Sequence, residues 1–164
     1  MKKLPAFARL RALLTALAVP AAFVLAGCGA PFKAATPTGF VDLGDKYGDD
    51  EYRATTADGL VLGVRAFKNE PKGALDFWVR VVENRMRDTS GYALLDTKEA
   101  KDRAGNIGKT LRFGHDESGV PHLYYLTIFV DDEHVFLLEA GGTKDLVEKH
   151  EEQIAWSIAN FLPS

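Results

Sequence analysis

Apolar and polar residues alternate along several segments of this chain, in the pattern typical of half-buried strands. Residues 52–56 and 60–68 alternate in this way. Between them lies Asp58-Gly59, a dipeptide typical of a tight hairpin turn. Pro71 and Gly73 follow the second segment and end it. The first regular elements are therefore predicted to be two antiparallel strands.

The next segment has a longer period, which predicts an amphipathic helix over residues 74–89. Its apolar positions follow the i, i+3, i+4, i+7 spacing of one helix face, namely Leu75, Trp78, Val79, Val82 and Met86. Gly91 is placed to end this helix. A last helix is predicted to start with Thr143 as its cap and to reach Phe161. Its inward-facing residues are expected to be Val147, Ile154, Ile158 and Phe161.

Further strands are predicted between the two helices. Residues 92–96 and 98–104 are weak candidates, whereas residues 107–114 alternate clearly. In that third segment Leu111 and Phe113 share one face, opposite Thr110 and Arg112. These segments are expected to add strands to the same sheet.

The strongest strand candidates are residues 122–130 and 134–140, which are almost continuously apolar. The polar residues 131–133 form the turn between them, and Gly141-Gly142 is expected to break the sheet. A run of this kind is typical of a strand covered on both faces, so the pair is predicted to lie at the sheet centre. The order of elements predicts an α+β fold, an antiparallel sheet flanked by two main helices.

At this level the chain resembles the PsbP-like family of α/β/α sandwich proteins. The resemblance rests on the helix over residues 74–88, the stretch 105–113, the hairpin 123–140 and the final helix ending Ile158-Ala159-Asn160-Phe161. It covers roughly residues 40–164. The family includes an extrinsic photosystem protein, Ran-binding proteins of the Mog type and bacterial lipoproteins. The members of this family share no active site, and the resemblance implies that this chain is a binding or assembly factor.

The N-terminal segment has the composition of an export signal. Lys2, Lys3, Arg9 and Arg11 form a basic leader before an uncharged apolar run over residues 12–27. That run is 16 residues long and is interrupted by Pro20, whereas a membrane-spanning helix needs roughly 20 apolar residues. A cleaved signal peptide over residues 1–27 is therefore favoured over a permanent transmembrane helix.

Leu25-Ala26-Gly27-Cys28 resembles the lipobox of bacterial lipoproteins, and Cys28 is the only cysteine in the chain. The resemblance implies that Cys28 carries acyl chains that anchor the mature protein in a membrane. Gly29 after the cysteine is compatible with outer-membrane sorting, so the predicted location is the cell envelope, on an outer membrane facing the periplasm. Residues 28–39, rich in Ala, Pro, Thr and Gly, are predicted to be a flexible tether, and residues 40–164 a single domain.

Charge and cysteine content exclude several functions. Residues 1–27 hold four basic residues and no acidic one, so their removal changes the net charge from −3 to −7. An acidic domain is a poor partner for nucleic acid. With Cys28 acylated no thiol remains, so no disulfide and no cysteine metal ligand is expected.

Three motifs with possible cofactor chemistry lack an essential residue. The tail Gly108-Lys109-Thr110 suggests a phosphate-binding loop, but Arg103 stands where that loop needs a glycine, and a strand follows. His150-Glu151 suggests half of a zinc-protease motif, but the second histidine position is Ile154. The acidic residues 45–51 do not follow the calcium-loop spacing. No metal and no cofactor is predicted.

The sequence favours a non-enzymatic, membrane-anchored binding or assembly module at the cell envelope. Its expected partner is a protein or a small apolar ligand. The alternative is a hydrolase whose residues converge only in three dimensions, because such sites leave no local motif. A pocket that clusters titratable groups such as His122, His134 or Glu139 would favour the enzyme. An exposed apolar groove would favour the binding module.

Overall fold

A computed structural model describes residues 30–44 and 51–164. The strands are β1 Phe32–Lys33, β2 Phe40–Asp42, β3 Glu51–Thr56, β4 Val61–Lys68, β5 Ala93–Lys101, β6 Ile107–Glu117, β7 Val120–Val130, β8 His134–Thr143 and β9 Leu162–Pro163. The helices are α1 Leu75–Ser90, α2 Lys144–Lys149 and α3 Glu151–Ala159. The predicted hairpin β3–β4, the helix α1 and the strands β6 to β8 are all confirmed.

Seven of the strands form one antiparallel sheet in the order β2-β3-β4-β8-β7-β6-β5. The hairpin β7–β8 lies at its centre, as the apolar run predicted. Asp131 closes that hairpin, because its carboxylate accepts hydrogen bonds from the backbone N–H of Glu133 and His134 at 2.8 and 2.6 Å. The short strands β1 and β9 pair separately, at Phe32 with Pro163.

Alternate residues of the strands supply two apolar layers, one on each face of the sheet. On one face α1 packs over a core that includes Trp78, Val82, Leu111, Phe113, Leu126, Ile128, Val135 and Leu137. On the other face, Leu62, Tyr125, Phe129, Phe136 and Ala140 of the sheet pack against Val147 of α2, Ile154 of α3, Phe32 of β1 and Phe161. The predicted α+β architecture, with helices on both faces of an antiparallel sheet, is confirmed.

Gly141-Gly142 does not break the sheet, so that prediction is wrong. Strand β8 continues through both glycines to Thr143, with Gly141 opposite Tyr124. A Cβ atom on Gly141 would lie 2.6 Å from the Tyr124 ring. The glycine is therefore explained by the aromatic ring packed over it, since a strand accepts glycine where another group approaches closely.

The last helix differs from the prediction in two ways. It is divided at His150 into α2 and α3, and the Thr143 side chain makes no capping hydrogen bond. At the break, the His150 ring nitrogen Nε2 lies 3.0 Å from the Asp58 carboxylate, and the ring packs against Phe40. Val147 of α2 and Ile154 of α3 are buried as predicted, so the predicted apolar residues face the core on both sides of the break.

Two segments are more ordered than their composition suggested. The weak candidates 92–96 and 98–104 belong to one strand, β5, whose pairing with β6 shifts between Leu94 and Asp96. Within the stretch expected to be a tether, Phe32 is buried against Phe136 and Phe161. The packed region therefore includes residues before position 40. Burial of the Phe32 ring stabilises this arrangement, because removing apolar surface from water is favourable.

Candidate functional site

A candidate site is a cavity of about 480 Å³ between α1 and strands β4, β7 and β8. Most of its wall is apolar and comes from Phe67, Trp78, Val82, Met86, Leu126 and Leu137. Glu51, Arg65, Arg85, Tyr124 and Glu139 supply the polar part. A volume in this range is typical of sites for small molecules.

The cavity exists because one helix is too narrow to cover this face of the sheet. A helix with its side chains is about 10–12 Å wide, and neighbouring strands are about 4.8 Å apart. Helix α1 contacts β5, β6 and β7, so the face of β4 extends beyond it. Phe67 on β4 and Val81 on α1 are each 38% exposed at the resulting rim.

Asn69 fixes the helical wall of the cavity. Its side-chain oxygen accepts a hydrogen bond from the indole N–H of Trp78 at 2.8 Å, and its amide nitrogen donates to the Asp131 carbonyl at 2.9 Å. Asn69 is itself buried, so these bonds form away from water. The start of α1 is thereby tied to the β7–β8 turn, and the Trp78 ring is held edge-on to Phe67.

The polar end of the cavity is built around Glu139. Its carboxylate forms an ion pair with Arg65 on the neighbouring strand; 14% of the Glu139 side chain and 46% of the Arg65 side chain are exposed. Burial, followed by the negative charge of Glu139 and a hydrogen bond with it, raises the pKa of Tyr124. The Tyr124 hydroxyl donates this hydrogen bond to the Glu139 carboxylate.

A second cavity of about 300 Å³ adjoins the first and shares Tyr124 and Glu139 with it. Arg53, Tyr92 and His122 line this extension. Glu139 thus lies where the two cavities meet, with His122 in the adjoining one. The two cavities together form one groove. Of the three titratable residues singled out in the sequence, His122 and Glu139 line this groove.

His134 is not part of the groove. It lies at the opposite end of the β7–β8 hairpin, because His122 pairs with Thr143 whereas His134 begins β8 just after the turn. Its ring nitrogen Nδ1 is 4.0 Å from the Asp131 carboxylate. The pairing register therefore separates the two histidines by the length of the hairpin.

The groove combines features of both functions considered from the sequence, because His122 and Glu139 line it together with an apolar wall. Among the described residues that line its two cavities there is no serine, threonine or cysteine to act as a nucleophile. The Glu139 carboxylate is engaged by Arg65 and Tyr124. The arrangement offers an apolar wall with one polar end, which suits a ligand of the same two-part character.

The phosphate-loop candidate has a structural role instead. Asp102 is buried, and its carboxylate accepts hydrogen bonds from the backbone N–H of Ala104 and Asn106, both at 2.9 Å. Gly105 occupies this turn with φ of +87°. The tail Gly108-Lys109-Thr110 lies inside strand β6, so no helix N-terminus follows it.

No metal centre is found among residues 30–44 and 51–164, where no three histidine or acidic side chains come together suitably. His150 faces Asp58, and Ile154 is buried in the core. In the same ranges no helix has both the length and the apolar character needed to cross a bilayer. Cys28 and the acidic residues 45–50 lie outside the described residues.

Arg65 and Asn69 were not predicted to be site residues. One signal for Arg65 was present, because Gly63, Arg65 and Phe67 alternate with the buried Leu62 and Val64 along β4. That alternation places an arginine on the same face as an exposed aromatic ring. Nothing in the local sequence marks the long-range bonds of Asn69.

Comparison with known proteins shows the fold. No family model matches this chain, and neither does any curated protein. LpqN, a protein involved in cell envelope biogenesis of Mycobacterium tuberculosis, matches with a TM-score of 0.56 and 12% identity, over 85% of this chain and 88% of that one. Cyanobacterial PsbP (CyanoP) from Synechocystis sp. PCC 6803 matches with a TM-score of 0.50 and 13% identity, over 85% and 99%. Protein PA94 of Pseudomonas aeruginosa, of unknown function, gives 0.51 and 15%, over 65% and 74%. The chain therefore has a PsbP-like α/β/α sandwich fold.

Proposed function

We propose that this protein is a lipoprotein of the bacterial cell envelope whose domain binds a small apolar or amphipathic ligand without transforming it. The observation that carries the proposal is the cavity of about 480 Å³ beneath α1, apolar on most of its wall and polar at Glu139. Such a site recognises an apolar body by burial and orients it through a few polar groups.

The envelope location draws support from two sources. The basic leader, the apolar run and Leu25-Ala26-Gly27-Cys28 have the composition of a lipoprotein signal. The structural similarity to LpqN, a protein of cell envelope biogenesis, agrees with that location. In the proposed arrangement acyl chains on Cys28 hold the domain at an outer membrane, on its periplasmic side.

The ligand is expected to have a short apolar chain and a single polar head. Phe67, Trp78 and Leu126 would contact the chain, and each buried methylene group contributes about 0.8 kcal/mol. Arg65 is half exposed at the polar end, so its guanidinium can contact a head group while Glu139 holds it in place. A head with acceptor oxygens fits this end best.

Binding can be tested with bromododecanoate, whose bromine quenches tryptophan fluorescence on contact. The chain has two tryptophans, Trp78 in the cavity wall and Trp156 exposed on α3. In the Trp156→Phe variant the remaining Trp78 signal should be quenched saturably. In the Trp78→Phe variant the remaining Trp156 signal should show no saturable quenching.

A matched pair of substitutions makes the test specific. Val82→Phe fills the cavity and should weaken binding about tenfold or more, because the ligand and the new ring compete for one space. Val120→Phe places the same side chain at an exposed strand end and should leave binding unchanged. Equal affinity in both variants, or no saturable quenching in the parent protein, would contradict the binding function.

The anchor is tested separately through Cys28→Ala. This variant should move from the membrane fraction to the soluble fraction, because the acyl attachment site is lost. Cys28→Ser, which also lacks the thiol, serves as the second variant. Retention of both in the membrane fraction would contradict the lipoprotein assignment and leave the ligand-binding test unaffected.

A further inference from the structure

The first described residues of the chain are fixed close to the end of helix α3. Phe32 is 5% exposed, and its ring centroid lies 5.8 Å from that of Phe161 and 6.4 Å from that of Phe136. The backbone N–H of Ser164 donates a hydrogen bond to the Pro31 carbonyl at 2.9 Å. From Pro31 onward the chain is therefore held against the α3 side of the sheet.

This position limits how far an anchored domain can stand from its membrane. Cys28 is three residues before Pro31, and three extended residues span at most about 11 Å. Helix α1 lies on the other face of the sheet from Phe32. A helix with its side chains is about 10–12 Å wide, so α1 and the sheet together are thicker than this reach. A domain anchored through Cys28 therefore cannot rest on the bilayer with α1.

The outer surface of α3 near this point is uncharged and carries an exposed indole ring. Trp156 is 46% exposed, and Ala155 and Ala159 beside it are exposed as well. Trp156 is five residues before Phe161, which corresponds to about 8 Å along a helix axis. The indole ring is therefore close to the place where Phe161 packs on Phe32.

Tryptophan is enriched where a lipid bilayer meets water, because its large ring is apolar and its N–H group is polar. An exposed Trp156 beside the chain that leads to Cys28 suits this interface. We infer that the surface of α3 around Trp156 rests on the bilayer that holds the acyl chains, so that the cavity beneath α1 opens away from that membrane. The inference rests on the lipoprotein assignment proposed above and does not depend on the ligand.

The charges near this surface are balanced, so the contact does not depend on them. Lys33 is exposed in β1, and Arg103 is exposed where its backbone N–H donates a hydrogen bond to the residue before β9. Glu151 and Glu152 are exposed in the first turn of α3. The acidic β7–β8 turn is hydrogen-bonded to Asn69, next to the start of α1. A vesicle of zwitterionic lipid is therefore a sufficient probe.

The inference can be tested by iodide quenching of tryptophan fluorescence, since iodide reaches only groups in contact with water. The lipidated full-length protein with Trp78→Phe has Trp156 as its only tryptophan. In vesicles of dioleoylphosphatidylcholine, its quenching constant should be about half or less of that for the soluble Cys28→Ala protein with the same substitution, because the ring lies among the lipid head groups. Flotation of the vesicles shows separately that the protein is anchored.

A matched reporter on the other side of the domain makes the test specific to one surface. Asn84 is exposed on α1, and Asn84→Trp combined with Trp78→Phe and Trp156→Phe places the only indole ring there. Its quenching constant should be the same in vesicles and in the soluble protein. The parent sequence provides a second measurement that does not depend on Trp78→Phe, because its Trp78 is buried and adds little to iodide quenching.

Two outcomes would overturn the inference while leaving the anchor in place. They are equal quenching of Trp156 in floated vesicles and in the soluble protein, and equal protection of the reporter at position 84. Protection of Trp156 in native membranes but not in pure lipid vesicles would assign the surface to a protein partner and overturn it as well. A protein that does not float with the vesicles would refute the lipoprotein assignment and this inference together.

Discussion

The two faces of the sheet are built from alternate residues of the same strands, yet they are covered to different extents. On the face of α2 and α3, the Phe161 ring stacks on Phe129 and meets Phe136 edge-to-face in a buried cluster. On the face of α1, the apolar layer is buried beneath the helix, but Phe67 remains 38% exposed at the cavity rim.

The difference shows that an apolar strand face becomes core or binding surface according to what lies over it. Neighbouring positions on β4 and β8 illustrate this, since Ala66 pairs with Phe136 and Phe67 pairs with Val135. Phe67 and Phe136 point to opposite faces. Phe32 and Phe161 cover the Phe136 ring, whereas the Phe67 ring meets Trp78 of a helix that covers only part of this face.

The largest expected difference between the faces is in the free energy of unfolding. Phe136→Ala should lower it by about 3–5 kcal/mol, because a fully buried ring is removed from a closed cluster. Phe67→Ala should lower it by about 1 kcal/mol, because much of that ring already contacts water. Urea unfolding of both variants measures the two losses. Equal losses would show that the α1 face is packed as tightly as the other.

Substitution by alanine should change the stability of the protein in opposite directions at two glycines whose Cβ positions lie on opposite faces of the sheet. A Cβ atom on Gly108 would lie 2.5 Å from the Ile128 carbonyl and 2.6 Å from the Phe129 ring, whereas on Gly63 the nearest atom would be 3.8 Å away. Gly108→Ala should therefore destabilise the protein by about 1–3 kcal/mol. Gly63→Ala should be neutral or stabilising by up to about 1 kcal/mol. A stable Gly108→Ala protein would refute the tight packing inferred for this face.

The smallest expected effect is a difference in acid sensitivity. Hydrogen bonds from Lys149, then from Thr56 and His150, hold the pKa of Asp58 well below its usual value of 3.8. Because the folded-state pKa is lowered, this contribution is present above the usual pKa and is lost as the pH falls below it. The bond between Asp58 and Lys149 links the β3–β4 turn to α2. Helix α1 is instead held by a hydrogen bond to Asn69, which carries no charge.

Asp58→Asn should therefore reduce the urea midpoint at pH 7 more than at pH 3. Lys149→Met removes the hydrogen bond that lowers the pKa of Asp58 most. The urea midpoint of this variant should therefore change less between pH 7 and pH 3 than that of the parent protein. A gap between Asp58→Asn and the parent protein that is constant from pH 7 to pH 3 would show that the ionised carboxylate does not stabilise this face.

Most of the fold could be predicted from local patterns, and the exceptions share one cause. Periodicity located α1, the central hairpin and the inward face of α2 and α3, because each depends on residues close in sequence. The prediction of a sheet break at Gly141-Gly142 was wrong because Gly141 accommodates the Tyr124 ring from another strand. The division at His150 likewise involves Asp58, which is distant in sequence.

The candidate site was predictable only in fragments. Glu139 and His122 were named among the titratable groups, and both line the groove. His134 was named with them but lies at the far end of the hairpin, because strand register decides which side chains become neighbours. Arg65 and Tyr124 become site residues only through their contact with Glu139.

By itself the sequence determined the α+β architecture, the central hairpin and the signal-like N-terminal segment, since these follow from composition and period. The tertiary structure alone decided where apolar surface stays open, because that depends on how far one helix reaches across a wide sheet. It also decided that the Arg112 guanidinium group lies over the Tyr125 ring beneath α3. Cavities arise between elements that are distant along the chain, so no local pattern encodes them.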